Sequence, residues 1–236
     1  MTAVILAGGM GTRLKPFTMT IPKPLLPLGD MPILEVVMRQ LEEAGFRRIV
    51  LTLGHMAHLF TAVIGDRTRW KADIEFCLED SPLGTAGGLR LIKNLPEDFL
   101  VMNGDLLTTI NYAELMAEHR ESKSWGTIGM NQREVRIDYG VVVPTPEGTL
   151  GEYREKPTLT YEVSMGINAI SARSIEYIPV EGRFDMPDLF RALQRAGKKV
   201  SCRSFDCYWR DIGRFDDYTE ASRDFTENPG KFLPAR

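Results

Sequence analysis

The sequence predicts an α/β fold on a mainly parallel sheet, from the kind of strand it opens with and the order of the segments that follow. Ala3-Val4-Ile5-Leu6-Ala7 is a short, continuous apolar run, β-branched in the middle, the pattern of a strand buried on both faces. A helical pattern and a second apolar strand come next. Strand, helix, strand in that order implies parallel pairing with a right-handed crossover. At 236 residues the chain is long enough for a full core. No internal repeat, low-complexity tract or linker divides it, so one domain is the economical reading.

The elements follow in order. Gly8, Gly9 and Gly11 end the first strand and free the backbone to turn. "IPKPLLPLGDMP", residues 21–32, holds four prolines and must be an ordered, non-helical connection. Leu34, Val37, Leu41 and Ala44 then recur at helical spacing, with Gly45 placed to end the helix. "RRIVLTL" is the second strand, "HLFTAVIGD" a helix, and "ADIEFCLED" a third strand that alternates Ile74, Phe76 and Leu78. The glycine-rich turn "SPLGTAGGL" leads into a predicted helix "LRLIKNL", and "DFLVMNGD" is a fourth strand. Beyond it, "GTIGMNQREV", "YGVVVPTPEG", "TLGEYREKP" and "SMGINAISA" read as strands and hairpins. "FDMPDLFRALQRAG" is a helix with Asp185 as N-cap, Pro187 in its first turn and Gly197 closing it. "KVSCRSFDCYWRDIG" is a strand region, and "RFDDYTEASRDF" the last helix. This divides the domain into a nucleotide-type half (1–110), a β-rich half (111–220) and a tail (221–236).

Composition narrows the function. A net charge of −3 gives no global basic field, which argues against nucleic acid or an anionic membrane as partner. No apolar run approaches a membrane span, and the first residues do not resemble a signal peptide, so a cytoplasmic setting is expected. Cys77, Cys202 and Cys207 are odd in number and lack metal-ligand spacing, consistent with reduced thiols.

The glycine loop carries the chemistry. Bare backbone N–H groups suit phosphate. A P-loop would need Lys-Ser/Thr after Gly11, where Thr12-Arg13 stand; a Rossmann dinucleotide fingerprint would need glycine at Leu14 and an acid closing the second strand. Both fail. Arg13 and Lys23 remain beside the loop, a planar fork and a point charge suited to a triphosphate. Taken alone, this is as well explained by a tight turn with two solvated cations.

The long stretch "LAGGMGTRLKPFTMTIPKPLLPLGDMPIL" resembles the signature of the sugar-1-phosphate nucleotidyltransferases, and "SPLGTAGGL", "VMNGDLL", "EYREKP", "SMGIN" and "YWRDIG" continue the likeness in family order to about Gly213. The resemblance implies a single-domain, Rossmann-like mixed sheet flanked by helices. It also implies a reaction: a sugar 1-phosphate attacks the α-phosphate of a nucleoside triphosphate, giving a nucleotide-sugar and pyrophosphate. A phosphomonoester is already anionic, with its second pKa near ~6, so no strong general base is needed. Accordingly His55, His58 and His119 match no family motif.

Roles implied by the resemblance fall on particular residues. Arg13 and Lys23 are catalytic. Leu6, Ala7, Gly8, Gly9, Gly11 and Thr12 hold the nucleotide, together with Glu79, Pro82, Leu83, Gly84, Thr85, Ala86, Gly87 and Gly104. Tyr139, Gly140, Glu155, Lys156, Gly166 and Asn168 take the sugar phosphate. Asp105 and Asp211 jointly hold Mg2+, which favours oxygen ligands and few carboxylates. A lone strand-end Asp is more often a turn residue, and a hairpin Glu-Lys pair a surface ion pair; these assignments lean on the family order. Asp206, Asp216, Asp217 and Glu220 read as solvated surface. "SPLGTAG" looks like the guanylyl branch acting on mannose- or heptose-type 1-phosphates, so GTP is the expected nucleotide, with a uridylyl or other enzyme of an amino sugar 1-phosphate as the alternative. Two further rivals are a glycosyltransferase, disfavoured by the lone carboxylate in "NGD", and a non-catalytic nucleotide-sugar-binding paralogue, disfavoured because Arg13, Lys23, Asp105, Lys156 and Asp211 all stand. The longer members' C-terminal β-helix is not expected in this chain, nor acetyl transfer. Met31 stands where Lys often precedes "PIL". A homo-oligomer is left open.

Overall fold

A computed structural model describes residues 1–9 and 11–233; Met10 of the glycine loop and residues 234–236 of the expected tail lie outside the described residues. The strands are β1 (Thr2–Leu6), β2 (Pro27–Leu28), β3 (Met31–Pro32), β4 (Arg48–Leu53), β5 (Asp73–Leu78), β6 (Asp98–Asn103), β7 (Leu106–Thr108), β8 (Gly126–Arg136), β9 (Val141–Pro144), β10 (Leu150–Arg154), β11 (Thr158–Ser171), β12 (Val200–Ser204) and β13 (Trp209–Asp211). The helices are α1 (Ile33–Glu43), α2 (Ala57–Ile64), α3 (Gly84–Gly87), α4 (Tyr112–Ser122), α5 (Met186–Arg195), α6 (Phe215–Glu227) and α7 (Pro229–Phe232).

One seven-stranded sheet spans both halves of the chain in the order β12-β8-β11-β6-β1-β4-β5. β1 pairs in parallel with β4 and β6, and β4 with β5, as the strand–helix–strand pattern requires. β11 is antiparallel to its neighbours β6 and β8. Alternate residues of β1 enter opposite cores. Ala3 and Ile5 pack with Leu34, Val37 and Leu41 of α1 and Phe60 of α2, while Val4 packs with Leu189 and Leu193 of α5. That is why the first strand reads as unbroken hydrophobe.

Local rules account for most ends. Gly45 and Gly197 take positive φ after α1 and α5, and at the start of α5 the Asp188 side chain accepts the N–H of Asp185, the N-cap residue. Three expectations need correction. The helix expected in "LRLIKNL" is only a 3-10 turn, Gly88–Leu91, continuing α3. Ile92 is already extended, Asn94 has φ +55, and the Arg48 guanidinium binds the carbonyls of Lys93 and Asn94, so the chain is pulled out of helix. The strand region 199–213 is two strands, β12 in the main sheet and β13 paired with β7. The tail set apart at residue 221 carries the end of the expected last helix, which runs on to Glu227 and is followed by α7, with Phe225 and Phe232 buried.

Helix α4 was missed, although Asn111 caps it by accepting from the Glu114 N–H. Its buried stripe of Tyr112, Leu115, Met116 and His119 hides a histidine among the hydrophobes. His119 is 1% exposed, with Nδ1 2.8 Å from Thr127 Oγ1 and Nε2 3.2 Å from Asp98 Oδ1. Burial holds its pKa below 6.5, against the pull of Asp98. A folded-state pKa below the unfolded value means that stability is full above about pH 6.5 and is lost as pH falls through that window. The stability advantage of wild type over His119→Gln, measured by urea melts, should therefore shrink between pH 7 and pH 5; a constant gap would contradict it.

Among the described residues no helix is long and apolar enough to cross a membrane.

Candidate active site

A cleft of about 470 Å3 opens where β1 gives way to the glycine loop and β6 ends at Asn103, the carboxyl edge of the parallel strands. Leu6, Ala7, Gly8, Gly9, Gly11 and Thr12 line one wall. Among the described residues the N–H groups of Gly8 and Gly9 find no backbone acceptor, as a phosphate cradle requires. Gly11 has φ +58, and a Cβ there would lie 2.9 Å from Thr18 Cγ2 and 3.3 Å from Lys23 Cβ. The loop is thereby held against the proline-rich connection, with Thr18 Oγ1 donating to the Gly11 carbonyl at 2.7 Å.

Lys23 arrives through this contact. Its side chain is only 9% exposed, and Nζ lies 2.5 Å from Asp105 Oδ2 and 3.6 Å from Asp211 Oδ1. Three local facts bring them together. β13 pairs with β7 so that Asp211 sits opposite Leu106, the residue after Asp105. The Ile212 N–H donates to the Asp105 carbonyl. Leu14, Leu26, Leu107 and Ile212, near neighbours in sequence of Arg13, Lys23, Asp105 and Asp211, share one buried cluster with α6 and α7. Burying each such side chain contributes about 1.5–3 kcal/mol, so apolar packing sets the site's charges side by side. Burial raises the Asp105 pKa, as does the nearby Asp211 carboxylate, while the Lys23 ammonium opposes both. Arg13 reaches the same corner, its guanidinium Nη1 lying 3.4 Å from where a Cβ on Gly213 would be.

At the other end of the cleft stand Glu79, Pro82, Gly84 and Thr85. Burial raises the Glu79 pKa, and Oε2 accepts the Leu83 N–H. Ala86 and Gly87 are buried behind this wall and donate to the Phe184 carbonyl, while Leu83 O accepts from Phe184. Gly104 packs against Ile5 and donates to the Leu6 carbonyl. These four support the wall and do not line it. Sequence reasoning missed Thr52, Asn103, Arg183 and Asp185 as lining residues. The sequence pattern marks Asp185 only as a helix cap; its carboxylate also accepts the Thr85 N–H, 100 positions away. No local pattern announces so long a contact.

The residues expected for the sugar phosphate sit apart from this cleft. β8 and β11 stay paired beyond the end of β6, out to Arg136 and Thr158. This two-stranded arm carries Tyr139, Gly140, the β9–β10 hairpin, Glu155 and Lys156 past the sheet's carboxyl edge. Tyr139 is 79% exposed, and Tyr153 donates to Glu155 Oε2 at 3.1 Å. At the arm's root the ladder slips between Ser164 and Asn168. Gly166 there has φ +69, and a Cβ on it would collide with Asn103 Nδ2 at 2.6 Å. Asn168 is buried, and its Oδ1 has no hydrogen-bond partner among the described residues.

A family model described as nucleotidyl transferase matches residues 2–228. The chain belongs to that family. A UTP–glucose-1-phosphate uridylyltransferase of Synechocystis is 32% identical to it over 94% of this chain and 63% of the relative. A mannose-1-phosphate guanyltransferase of Schizosaccharomyces pombe is also 32% identical, over 92% of this chain and 62% of the relative. The chain thus spans about six-tenths of the length of these relatives. The crystal structure of HddC from Yersinia pseudotuberculosis complexed with GMP-PN superposes with TM-score 0.72 at 28% identity, covering 95% of this chain and 99% of that one. The mainly parallel sheet with helices on both faces is therefore the fold of a nucleotidyl transferase domain, as the resemblance implied.

Proposed function

We propose that this nucleotidyl transferase joins a sugar 1-phosphate to a nucleoside triphosphate, with GTP as the preferred nucleotide and Mg2+ as the metal. One observation carries the reading: a buried ammonium, Lys23, held between Asp105 and Asp211 beside a glycine loop in which the Gly8 and Gly9 N–H groups find no backbone acceptor among the described residues. The two carboxylates fit Mg2+, which uses one or two protein carboxylates and fills its other positions with phosphate and water. Among the described residues no larger cluster of His, Cys, Asp and Glu competes for a metal. Positive charge is favourable at this point, because burial works against the charge of Asp105 and Lys23 lies beside both carboxylates. When bound, Mg2+ would neutralise charge on the phosphates.

In the reaction, an oxygen of the sugar 1-phosphate attacks the α-phosphorus, and the bond from that phosphorus to the oxygen bridging the β-phosphate breaks. Pyrophosphate leaves. Gly8, Gly9, Gly11 and Thr12 cradle the phosphates through N–H groups, and Arg13 and Lys23 stabilise charge gathering on the leaving group. Glu155 accepts from sugar hydroxyls and Lys156 binds the sugar phosphate, both carried on the β8–β11 arm beyond the sheet's carboxyl edge. Gly166 and the buried Asn168 lie at that arm's root, beside Asn103 of the cleft.

For the base, relatives named for UTP and for mannose-1-phosphate guanylyl transfer are equally similar at 32% identity. Glu79 favours guanine. A carboxylate only accepts, which suits the N1–H and N2–H donors of guanine and opposes the two carbonyl oxygens of uracil. The test is pyrophosphate release with Mg2+ over a grid of nucleoside triphosphates and sugar 1-phosphates, including mannose, heptose, glucose and N-acetylmuramate. Release strongest with GTP is expected, and Lys156→Ala should raise KM for the sugar 1-phosphate about 10-fold or more. Release with UTP alone would keep the mechanism and overturn the base. A protein that binds GTP yet releases no pyrophosphate would point to a binding paralogue.

A further inference from the structure

The cleft carries three cations, and only two belong to the phosphate end. Arg13 and Lys23 stand with Asp105, whereas Arg183 lines the opposite end with Glu79, Gly84, Thr85 and Asp185. Arg183 sits on the loop before α5, far in sequence from the β5–α3 segment it faces. This loop is anchored to α3 by backbone: the Phe184 N–H donates to Leu83, and the Phe184 carbonyl accepts from Ala86 and Gly87. A Cβ on Gly84, which has φ +84, would lie 2.6 Å from that carbonyl, so the two segments meet without a side chain between them. Asp185 completes the fixture. Its Oδ1 accepts the Thr85 N–H at 2.9 Å, and its Oδ2 accepts Arg183 Nε at 3.1 Å.

The geometry of that last bond leaves a function over. Asp185 orients the guanidinium through Nε alone, and among the described residues neither Nη nitrogen has a partner. The Arg183 side chain is 71% exposed, so the fold gains little from holding it. Its charge is balanced by Asp185, which suits neutral acceptors better than a phosphate already served by Arg13 and Lys23. A guanidinium edge with two parallel N–H donors matches the adjacent O6 and N7 acceptors of guanine. Adenine offers N7 beside an N6 donor, and uracil has no such acceptor pair.

We propose that Arg183 is the specificity-determining residue that reads the O6/N7 edge of guanine, with Asp185 positioning it and Glu79 meeting the N1–H/N2–H edge from the other wall. This rests on the guanylyl reading above and sharpens it to a residue outside the glycine-rich turn.

Calorimetric titration of GTP, 7-deaza-GTP and UTP, each with Mg2+, into wild type and Arg183→Ala tests it without needing the sugar. 7-Deaza-GTP lacks the N7 acceptor. Wild type should bind GTP more tightly than 7-deaza-GTP and UTP, and Arg183→Ala should lose about 5- to 100-fold on GTP, little on UTP, and no longer distinguish GTP from 7-deaza-GTP. An unchanged Tm would show that the loop is intact. Equal losses on GTP and UTP would put Arg183 on phosphate or ribose and overturn the proposal. A GTP preference that survives Arg183→Ala would overturn Arg183 alone and leave the guanylyl reading standing. A wild type that binds UTP as tightly as GTP would remove both.

Discussion

Asp105→Asn should lower kcat by about 10³-fold or more while leaving the fold intact. The size follows from the charge stabilisation that a metal-holding carboxylate supplies, several kcal/mol at about 1.4 kcal/mol per tenfold in rate. Asn keeps the shape and a carbonyl oxygen but not the charge. In the ligand-free protein that charge is a burden: burial and the facing Asp211 raise the Asp105 pKa despite Lys23. The substitution therefore removes an unfavourable group, and Lys23 keeps Asp211 at 3.6 Å as a partner. Thermal melts should place the variant within a few degrees of wild type. A second readout separates the metal from the fold: Mg2+ should raise the Tm of wild type by mass action, and far less that of Asp105→Asn. Undiminished turnover, or an unchanged Mg2+-dependent rise in Tm, would sink the metal assignment.

Two kinds of information explain what was legible in the sequence. Periodicity and end signals are local, and where they dominate, the fold can be read. Ala3–Ala7 as a two-faced strand, Gly45 and Gly197 after their helices and Asp185 as a cap all rest on one or two neighbouring turns of chain. α4 was equally local, with Asn111 and Glu114 at its start, but a polar majority and a buried His119 masked its stripe. "LRLIKNL" failed for the opposite reason. Its hydrophobes fit a helix, and a contact from Arg48, more than forty positions earlier, holds the carbonyls of Lys93 and Asn94 in another conformation.

The site divides in the same way. The glycine loop was legible because its backbone requirement is written in Gly11 itself. The meeting of Asp105 and Asp211 is a product of the β7–β13 pairing and a shared cluster of Leu14, Leu107 and Ile212, which spacing along the chain does not encode. Only the family order linked those two acids at the sequence level. Arg183 belongs to no matched motif; only the docking of the loop before α5 on α3 brings it to the cleft.

Lys23→Ala should do more damage than Asp105→Asn, and damage of two kinds. It removes the only cation that reaches both carboxylates among the described residues, leaving Asp105 and Asp211 facing each other with nothing between. Breaking a buried pair from one side costs about 3–5 kcal/mol; because Asp105 retains 22% exposure, the low end applies. For a chain of this length that is roughly a 10 °C fall in Tm. Turnover should also fall about 10³-fold, since the ammonium is one of two side-chain cations at the phosphate end. The two losses should come apart on adding metal. Mg2+ supplies positive charge between the carboxylates, so it should recover much of the lost Tm, yet kcat should stay low because the ammonium's contact with the phosphates is not replaced. Adding Asp105→Asn to Lys23→Ala should likewise recover Tm by removing the uncompensated carboxylate, a coupling that a double-mutant cycle reads directly. A Lys23→Ala protein as stable as wild type without metal would show that the ammonium is not needed to hold the two acids together. Recovery of kcat along with Tm on adding Mg2+ would reduce Lys23 to a placeholder for the metal.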